Sequence, residues 1–253
     1  SWADKCEVKW VEEKYDTLAE DMITFKKGKP VPIIESRNFL PCELTIDLNE
    51  ECCSIDTSIW KKFTRNGSSM IELNKMENAP LAHYVISYLN GSHFIKYLEH
   101  LTQIKNLIPD PHLIGAGYSR SFEGDSLKIH TDFNWNEELQ LHRAVSLIIY
   151  LNPDWKSRWG GRLKFYDENR EKVQFEASSD FNTALIWKYD KLGYHGYEDP
   201  IDCPNNHLEV QSRNTLRLFY YVSKSKHDKN DPPHRSLYWY DPETKKPFDK
   251  KEI

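Results

Sequence analysis

The rhythm of apolar and polar positions changes near Pro109. Before it, the pattern is mostly helical. Residues 1–40 are charged and read as a helix followed by an irregular lead-in, with a Lys-Lys-Gly-Lys-Pro turn at 26–30. Residues 41–80 mix short apolar pieces with turn residues, Asn66-Gly67-Ser68-Ser69 among them. Asn90-Gly91 separates two helical patterns, and the second starts at Ser92, a residue type suited to an N-cap. In that helix Phe94, Tyr97, Leu98, Leu101 and Ile104 fall on one face. Beyond Pro109, short runs rich in β-branched and aromatic residues alternate with turns, at about 113–119, 126–130, 143–152, 162–167, 171–176, 182–188, 207–211 and 214–222. Eight short strands predict two packed sheets, a sandwich or jelly roll, with the earlier helices bracing one outer face. The expected class is mainly β with supporting α-helices. The expected organisation is one domain over 1–253, with a helical N-terminal support at 1–110, a β core at 111–225 and a C-terminal extension at 226–253.

Composition narrows the function. A chain of 253 residues buries a sizeable core, and 8 Trp, 14 Tyr and 11 Phe suit an aromatic-lined cleft. The formal net charge of −5 gives no electrostatic reason to expect a nucleic-acid partner. No apolar run approaches a membrane span, and the N-terminal residues lack the apolar segment of a signal peptide. The 5 cysteines are scattered and form no C-x-x-C pair, against both a zinc ribbon and a disulfide framework. A reducing, cytoplasmic setting is therefore expected. The sequence carries no signal of an oligomeric state.

The chemistry concentrates in His130-Thr131-Asp132 and in a late, glycine-flanked histidine, His195. Residues i and i+2 of a strand share a face, so His130 and Asp132 can reach one ion. Two histidines and a carboxylate with positions left open form the facial triad that holds non-haem Fe(II). His207, in a turn-like Pro-Asn-Asn-His stretch, is the rival third ligand, and His142, at a strand start, is expected to face solvent. Arg143 begins a strand that runs through Tyr150 to Trp155, and a buried tyrosine needs a hydrogen-bond partner. Gly160-Gly161 opens the next run, which begins at Leu163. Arg213 begins the last strand. An arginine at the inner end of a barrel is costly unless an anion meets it, and its planar fork matches a carboxylate. Arg217, four residues on with the same parity, is the rival.

The order H-x-D, then R-x-x-x-L-x-x-Y-L-N-x-D-W, then G-G-x-L, then H-G, then R-x-x-L strongly resembles the Fe(II)/2-oxoglutarate-dependent oxygenases. Within them it looks most like the prolyl hydroxylase branch, both collagen-type and hypoxia-sensing. The match covers about residues 113–222. The resemblance implies a double-stranded β-helix, with His130, Asp132 and His195 as iron ligands. Arg213 would grip the distal carboxylate of 2-oxoglutarate, Tyr150 would hydrogen-bond it, and Leu163 and Phe219 would line its pocket. Arg143 would stand near the substrate entrance, and with Trp135 would meet the substrate. Two features depart from the family pattern. The stretch from His195 to Arg213 is long, and Leu127 stands where a tyrosine is usual.

What the resemblance implies is a dioxygenase using Fe(II), 2-oxoglutarate and O2, with ascorbate as reductant, that hydroxylates an unactivated C–H bond. A prolyl residue in a peptide or protein is the first expectation for the substrate. A free amino acid or other small metabolite is the alternative, and a non-catalytic jelly-roll binding or sensor module is a second.

Overall fold

Among the described residues, two antiparallel sheets and five α-helices answer the two rhythms of the chain. The computed structural model describes residues 8–206, 209, 211–224 and 229–239. The first half contains α1 (Val8–Lys14), α2 (Leu18–Lys27), β1 (Ile33–Ser36), α3 (Cys42–Ser54), the hairpin β2 (Lys61–Arg65) and β3 (Ser68–Leu73), α4 (Pro80–Leu89) and α5 (Ser92–Thr102). The second half contains β4 (Ile108–Pro109), β5 (Gly117–Ser121), β6 (Leu127–Thr131), β7 (Trp135–Asn136), β8 (Leu141–Tyr150), β9 (Lys164–Tyr166), β10 (Val173–Glu176), β11 (Ala184–Lys188), β12 (His195–Tyr197), β13 (Arg213–Val222) and β14 (Leu237–Tyr238). The larger sheet runs β1-β11-β8-β13-β5-β3-β2, with β4 on β13 and β7 on β8. The smaller runs β10-β9-β12-β6-β14. Together they form the jelly-roll core.

Period-two alternation divides the larger sheet into two faces. On β8, Val145, Leu147 and Ile149 point to the helices, as do Leu216, Leu218 and Tyr220 on β13 and Ala184 and Ile186 on β11. They share one apolar core with Phe94, Leu98 and Leu101 of α5 and with Leu44 and Leu48 of α3. The α5 stripe follows the predicted spacing from Phe94 to Leu101; Ile104 falls beyond the helix, which ends at Thr102, and is only partly buried against the same core. The opposite face of the sheet meets the smaller sheet, where Leu185 and Trp187 pack with Phe165 and Tyr197. The helices therefore brace one side, and the other is free to enclose a cleft.

The differences from expectation are local. The strand expected from 113 begins at Gly117, because Leu113 and Gly115 take left-handed turns at φ 52° and 66°. Gly91, not Ser92, occupies the N-cap position of α5. The helical support also carries strands. Asn66 and Gly67, both at positive φ, close the β2–β3 hairpin, as a two-residue Asn-Gly turn does. For the run expected at 207–211, positions 207, 208 and 210 lie outside the described residues, and Glu209 and Gln211 are not in a strand.

Candidate metal centre and adjoining cleft

His130 lies in β6, Asp132 follows the last residue of that strand, and His195 opens β12. The two strands are antiparallel neighbours, with His130 directly opposite His195. Strand pairing alone thus sets the two rings side by side, their centroids 4.6 Å apart. Gly196 permits this closeness, since a Cβ there would stand 2.5 Å from the Leu127 carbonyl oxygen. Asp132 Oδ1 is 3.7 Å from His130 Nε2 and 3.6 Å from His195 Nε2. Those separations are too long for hydrogen bonds. They suit three donors arranged about one ion, and one ligand atom from each residue lies within 4.8 Å of the others.

The protonation state follows from the surroundings. His130 Nδ1 lies 2.8 Å from the Lys128 carbonyl, and His195 Nδ1 lies 2.8 Å from that of Gly193. A carbonyl only accepts, so each Nδ1 carries the proton and each Nε2 keeps a lone pair for a metal. Burial lowers the pKa of His130, which favours the neutral ligand form. Burial pushes the Asp132 carboxyl up, but Arg143 and the two histidines outweigh it and hold the group well below the usual carboxylate range. Two imidazoles that present Nε2 and one carboxylate, gathered at the end of a sheet, fit Fe(II) with positions left open. Phe165 stacks on His195 at 4.9 Å, Trp187 meets it edge-on at 5.5 Å, and Tyr238 of β14 stacks on His130 at 5.1 Å.

Arg213 lines the same cleft from the first position of β13. It is 6% exposed, and among the described residues it makes no ion pair or hydrogen bond. Its guanidinium lies 5.1 Å from the Tyr150 ring and 5.2 Å from the Tyr197 ring. The Tyr150 hydroxyl, close to Arg213 and Ser179, is buried without a hydrogen bond. Gly161 makes room for the arginine: at φ 74°, a Cβ there would stand 2.7 Å from Arg213 Cδ. Leu127, Ile148, Leu163 and Trp187 also line the cleft. A buried cation and a neighbouring unsatisfied phenol, reached through an apolar passage, fit the distal carboxylate of a keto diacid.

The other arginines are differently engaged. Arg217 Nη2 pairs with Glu72 Oε1 at 2.6 Å. Arg143, expected near a substrate entrance, is buried behind the metal ligands. Its Nη2 is 3.1 Å from Asp132 Oδ2, its Nε and Nη2 donate to Ser146 Oγ, and its Cζ sits 3.5 Å over the Phe219 ring. It does line the cleft, as do Leu163 and Phe219. Trp135 is not brought there: its Nε1 donates to Glu137 at 2.7 Å and its ring meets His142 at 5.1 Å. The expectation for His142 is corrected, because it is 2% exposed, covered by β7, whose Trp135 pairs with it in register. His207 lies outside the described residues.

Sequence reading missed two parts of the cleft. One is the hairpin wall, Phe63, Met70 and Glu72, for which Asn66-Gly67 was the available signal. The other is Ser236 and Tyr238. No local motif marks them; they arrive because β14 pairs with β6, setting Tyr238 opposite His130. Asn134 clips the incoming segment, accepting from the His234 amide and donating to the Pro232 carbonyl.

Residues 116–221 match the family model of the 2OG-Fe(II) oxygenase superfamily. No curated protein matches the chain in sequence. Among solved structures, it is similar to a prolyl hydroxylase of Trichoplax adhaerens in complex with a hypoxia inducible factor oxygen degradation domain peptide fragment. That match has a TM-score of 0.61 and 17% identity, covering 86% of this chain and 95% of the other. A Pseudomonas putida prolyl-4-hydroxylase matches with a TM-score of 0.55 and 14% identity, over 82% of this chain and 100% of the other. HygX from Streptomyces hygroscopicus, with nickel and 2-oxoglutarate bound, matches with a TM-score of 0.52 and 9% identity, over 81% and 87%.

Proposed function

From the match of residues 116–221 to the 2OG-Fe(II) oxygenase superfamily and the fold shared with prolyl hydroxylases, we propose that the chain is a 2OG-Fe(II) oxygenase that hydroxylates an unactivated C–H bond of a prolyl residue in a peptide or protein. The observation that carries the chemistry is the meeting, in one cleft, of the His130-Asp132-His195 triad with a buried arginine that has no anionic partner. What supports the prolyl substrate is the likeness to prolyl hydroxylases and the outer wall of the cleft. There Phe63, Met70, Phe133 and Tyr238 offer apolar and aromatic surface suited to a pyrrolidine ring.

His130, Asp132 and His195 would hold the iron, and Arg213 with Tyr150 would hold 2-oxoglutarate by its distal carboxylate. Bound there, iron with 2-oxoglutarate and O2 supplies the oxidation, in which one oxygen atom enters the substrate C–H bond and the other enters succinate as CO2 is lost. The chain does the rest. Arg143 holds Asp132 ionised and turned toward the histidines. The carbonyls of Lys128 and Gly193 fix both ring orientations. Leu127, Ile148 and Leu163 give the cleft shared by the arginine and the triad an apolar lining.

The test is succinate release from 2-oxoglutarate with Fe(II) and ascorbate, with and without a pool of blocked proline-containing peptides, alongside mass spectrometry for a mass gain of one oxygen. Hydroxylated proline in the pool is the expected result. Stimulation by free amino acids alone would replace the peptide reading with a small-molecule one.

A further inference from the structure

Farther along β13 from Arg213, the cleft holds an ion pair that neither the metal nor the co-substrate accounts for. Arg217 lies on the inward face of β13, opposite Gly117 of β5. Glu72 lies on β3, opposite Ser119 on the other edge of β5. The arginine must therefore cross an intervening strand to reach its partner. Gly117, at φ 91°, lets β5 run hard against β3 beside that path, since a Cβ there would stand 2.3 Å from the Leu73 carbonyl oxygen. The two side chains are 13% and 17% exposed, and both residues line the cleft that holds the triad.

The guanidinium is only partly satisfied. Nη2 donates to Glu72 Oε1, while Nη1 meets only the Met70 sulfur at 3.6 Å, a weak acceptor. Nε is buried without a partner. Glu72 spends one oxygen on Arg217, and among the described residues the other accepts no hydrogen bond. A guanidinium with spare hydrogen-bonding capacity thus stands beside a carboxylate with a spare oxygen, on two residues that both line the cleft. The complementary ligand is one amino-acid unit, which presents a carbonyl or carboxylate oxygen next to an N–H. An extended residue in a peptide shows both on one edge. Proline itself has no N–H, so the residue gripped would be a neighbour of the target.

We propose that Arg217 and Glu72 form the substrate subsite, clamping the backbone C=O and N–H of a residue that flanks the hydroxylated one. This rests on the prolyl-peptide reading above. The subsite is separate from the 2-oxoglutarate anchor, and it makes both residues determinants of substrate affinity.

The experiment uses the iron-loaded protein with 2-oxoglutarate and the pool of blocked proline-containing pentapeptides, with free L-proline as a second arm. Arg217→Lys and Glu72→Gln keep size and hydrogen-bonding character, and 2-oxoglutarate affinity by calorimetry verifies that each variant is folded. The expected result is a peptide KM raised about 10–100-fold in either variant, the loss of one charge-assisted contact. Direct binding of the best pool peptide, measured by calorimetry without O2, should weaken in parallel. Peptide hydroxylation with unchanged KM and Kd in both variants overturns the subsite and leaves the proposed function standing. A rise in the 2-oxoglutarate Kd in place of the peptide KM also overturns it, making Arg217 a co-substrate anchor. Turnover of free L-proline alone overturns the peptide reading; loss of that turnover in both variants would then assign the pair to a free amino acid's carboxylate and ammonium. Turnover of neither probe by the unaltered protein overturns both proposals.

Discussion

The two faces of β13 make opposite demands on adjacent residues. Toward the helices, Leu216, Leu218 and Tyr220 are fully packed, and the Tyr220 hydroxyl donates to the Leu89 carbonyl at 2.9 Å. Toward the cleft, Arg213, Thr215 and Arg217 alternate with them, and Arg213 is buried with no partner. One face is satisfied within the fold. The other holds an unsatisfied charge that only a ligand can meet. The strand joins a stabilising surface to a binding surface one residue apart, so mutations on its two sides should separate stability from function.

The largest effect belongs to the metal ligands, which the cleft face serves. His130→Ala and His195→Ala should each abolish metal binding and substrate-dependent turnover while the thermal transition stays near that of the parent. Turnover retained in His130→Ala, at the same iron concentration, would falsify the ligand assignment. Asp132→Ala should differ from both. It strands Arg143 in a site with no other carboxylate within ion-pair reach among the described residues, which costs about 3–5 kcal/mol of stability on top of the lost ligand. A thermal midpoint equal to those of the histidine variants would mean that the Asp132–Arg143 contact contributes nothing.

Next come two substitutions on β13 that should move opposite quantities. Leu218→Ala opens a cavity in the helix-facing core, so unfolding should become easier by about 2–5 kcal/mol with 2-oxoglutarate affinity kept. Arg213→Met should do the reverse. It removes a buried, unpaired charge, so the ligand-free protein should unfold at the same temperature or higher. Its 2-oxoglutarate affinity should fall by about 2–5 kcal/mol, the loss of a buried charge-assisted fork. Calorimetry with and without 2-oxoglutarate reads both at once. A lower midpoint for Arg213→Met without ligand would show that the arginine is structurally satisfied and is not the anchor.

Much of this site was legible because its information is local. H-x-D reports a shared strand face, and a ten-residue apolar strand such as β8 shows its parity in the sequence. The Gly160-Gly161 pair also showed, although only the structure gives its reason, the space taken by Arg213. What stayed hidden is set by pairings distant in sequence. β12 is three residues long and includes a glycine, too little for a periodic signal. Tyr238 reaches His130 only through an edge strand that follows a turn-rich stretch. The partners Arg217 and Glu72 are 145 residues apart, and nothing in either segment names the other. The pairing of Arg143 with Asp132 stayed hidden for a related reason. The arginine's position at a strand start says that it lies near the cleft, but not that its side chain turns toward Asp132.

The smallest predicted effect is the sharpest test of the contrast between the faces, because it compares the same atom on two tyrosines. Tyr220 and Tyr150 are both buried, and Phe replaces either with the loss of one oxygen. On the helix side the hydroxyl is used, since it donates to the Leu89 carbonyl at the end of α4. Tyr220→Phe leaves that carbonyl without this donor, so stability should fall by about 0.5–1.5 kcal/mol with 2-oxoglutarate binding unchanged. On the cleft side the Tyr150 hydroxyl has no hydrogen bond to lose. Burial there raises its pKa, with Arg213 opposing, so it stays a protonated donor at neutral pH. Tyr150→Phe should therefore hold or slightly raise the midpoint of the ligand-free protein, and weaken 2-oxoglutarate by about 0.5–1.5 kcal/mol. The quantity to measure is the ligand-induced shift in midpoint at fixed 2-oxoglutarate. It should shrink for Tyr150→Phe and stay whole for Tyr220→Phe. If both variants lose stability equally and keep the shift, the Tyr150 hydroxyl is a packing group and the carboxylate rests on Arg213 alone.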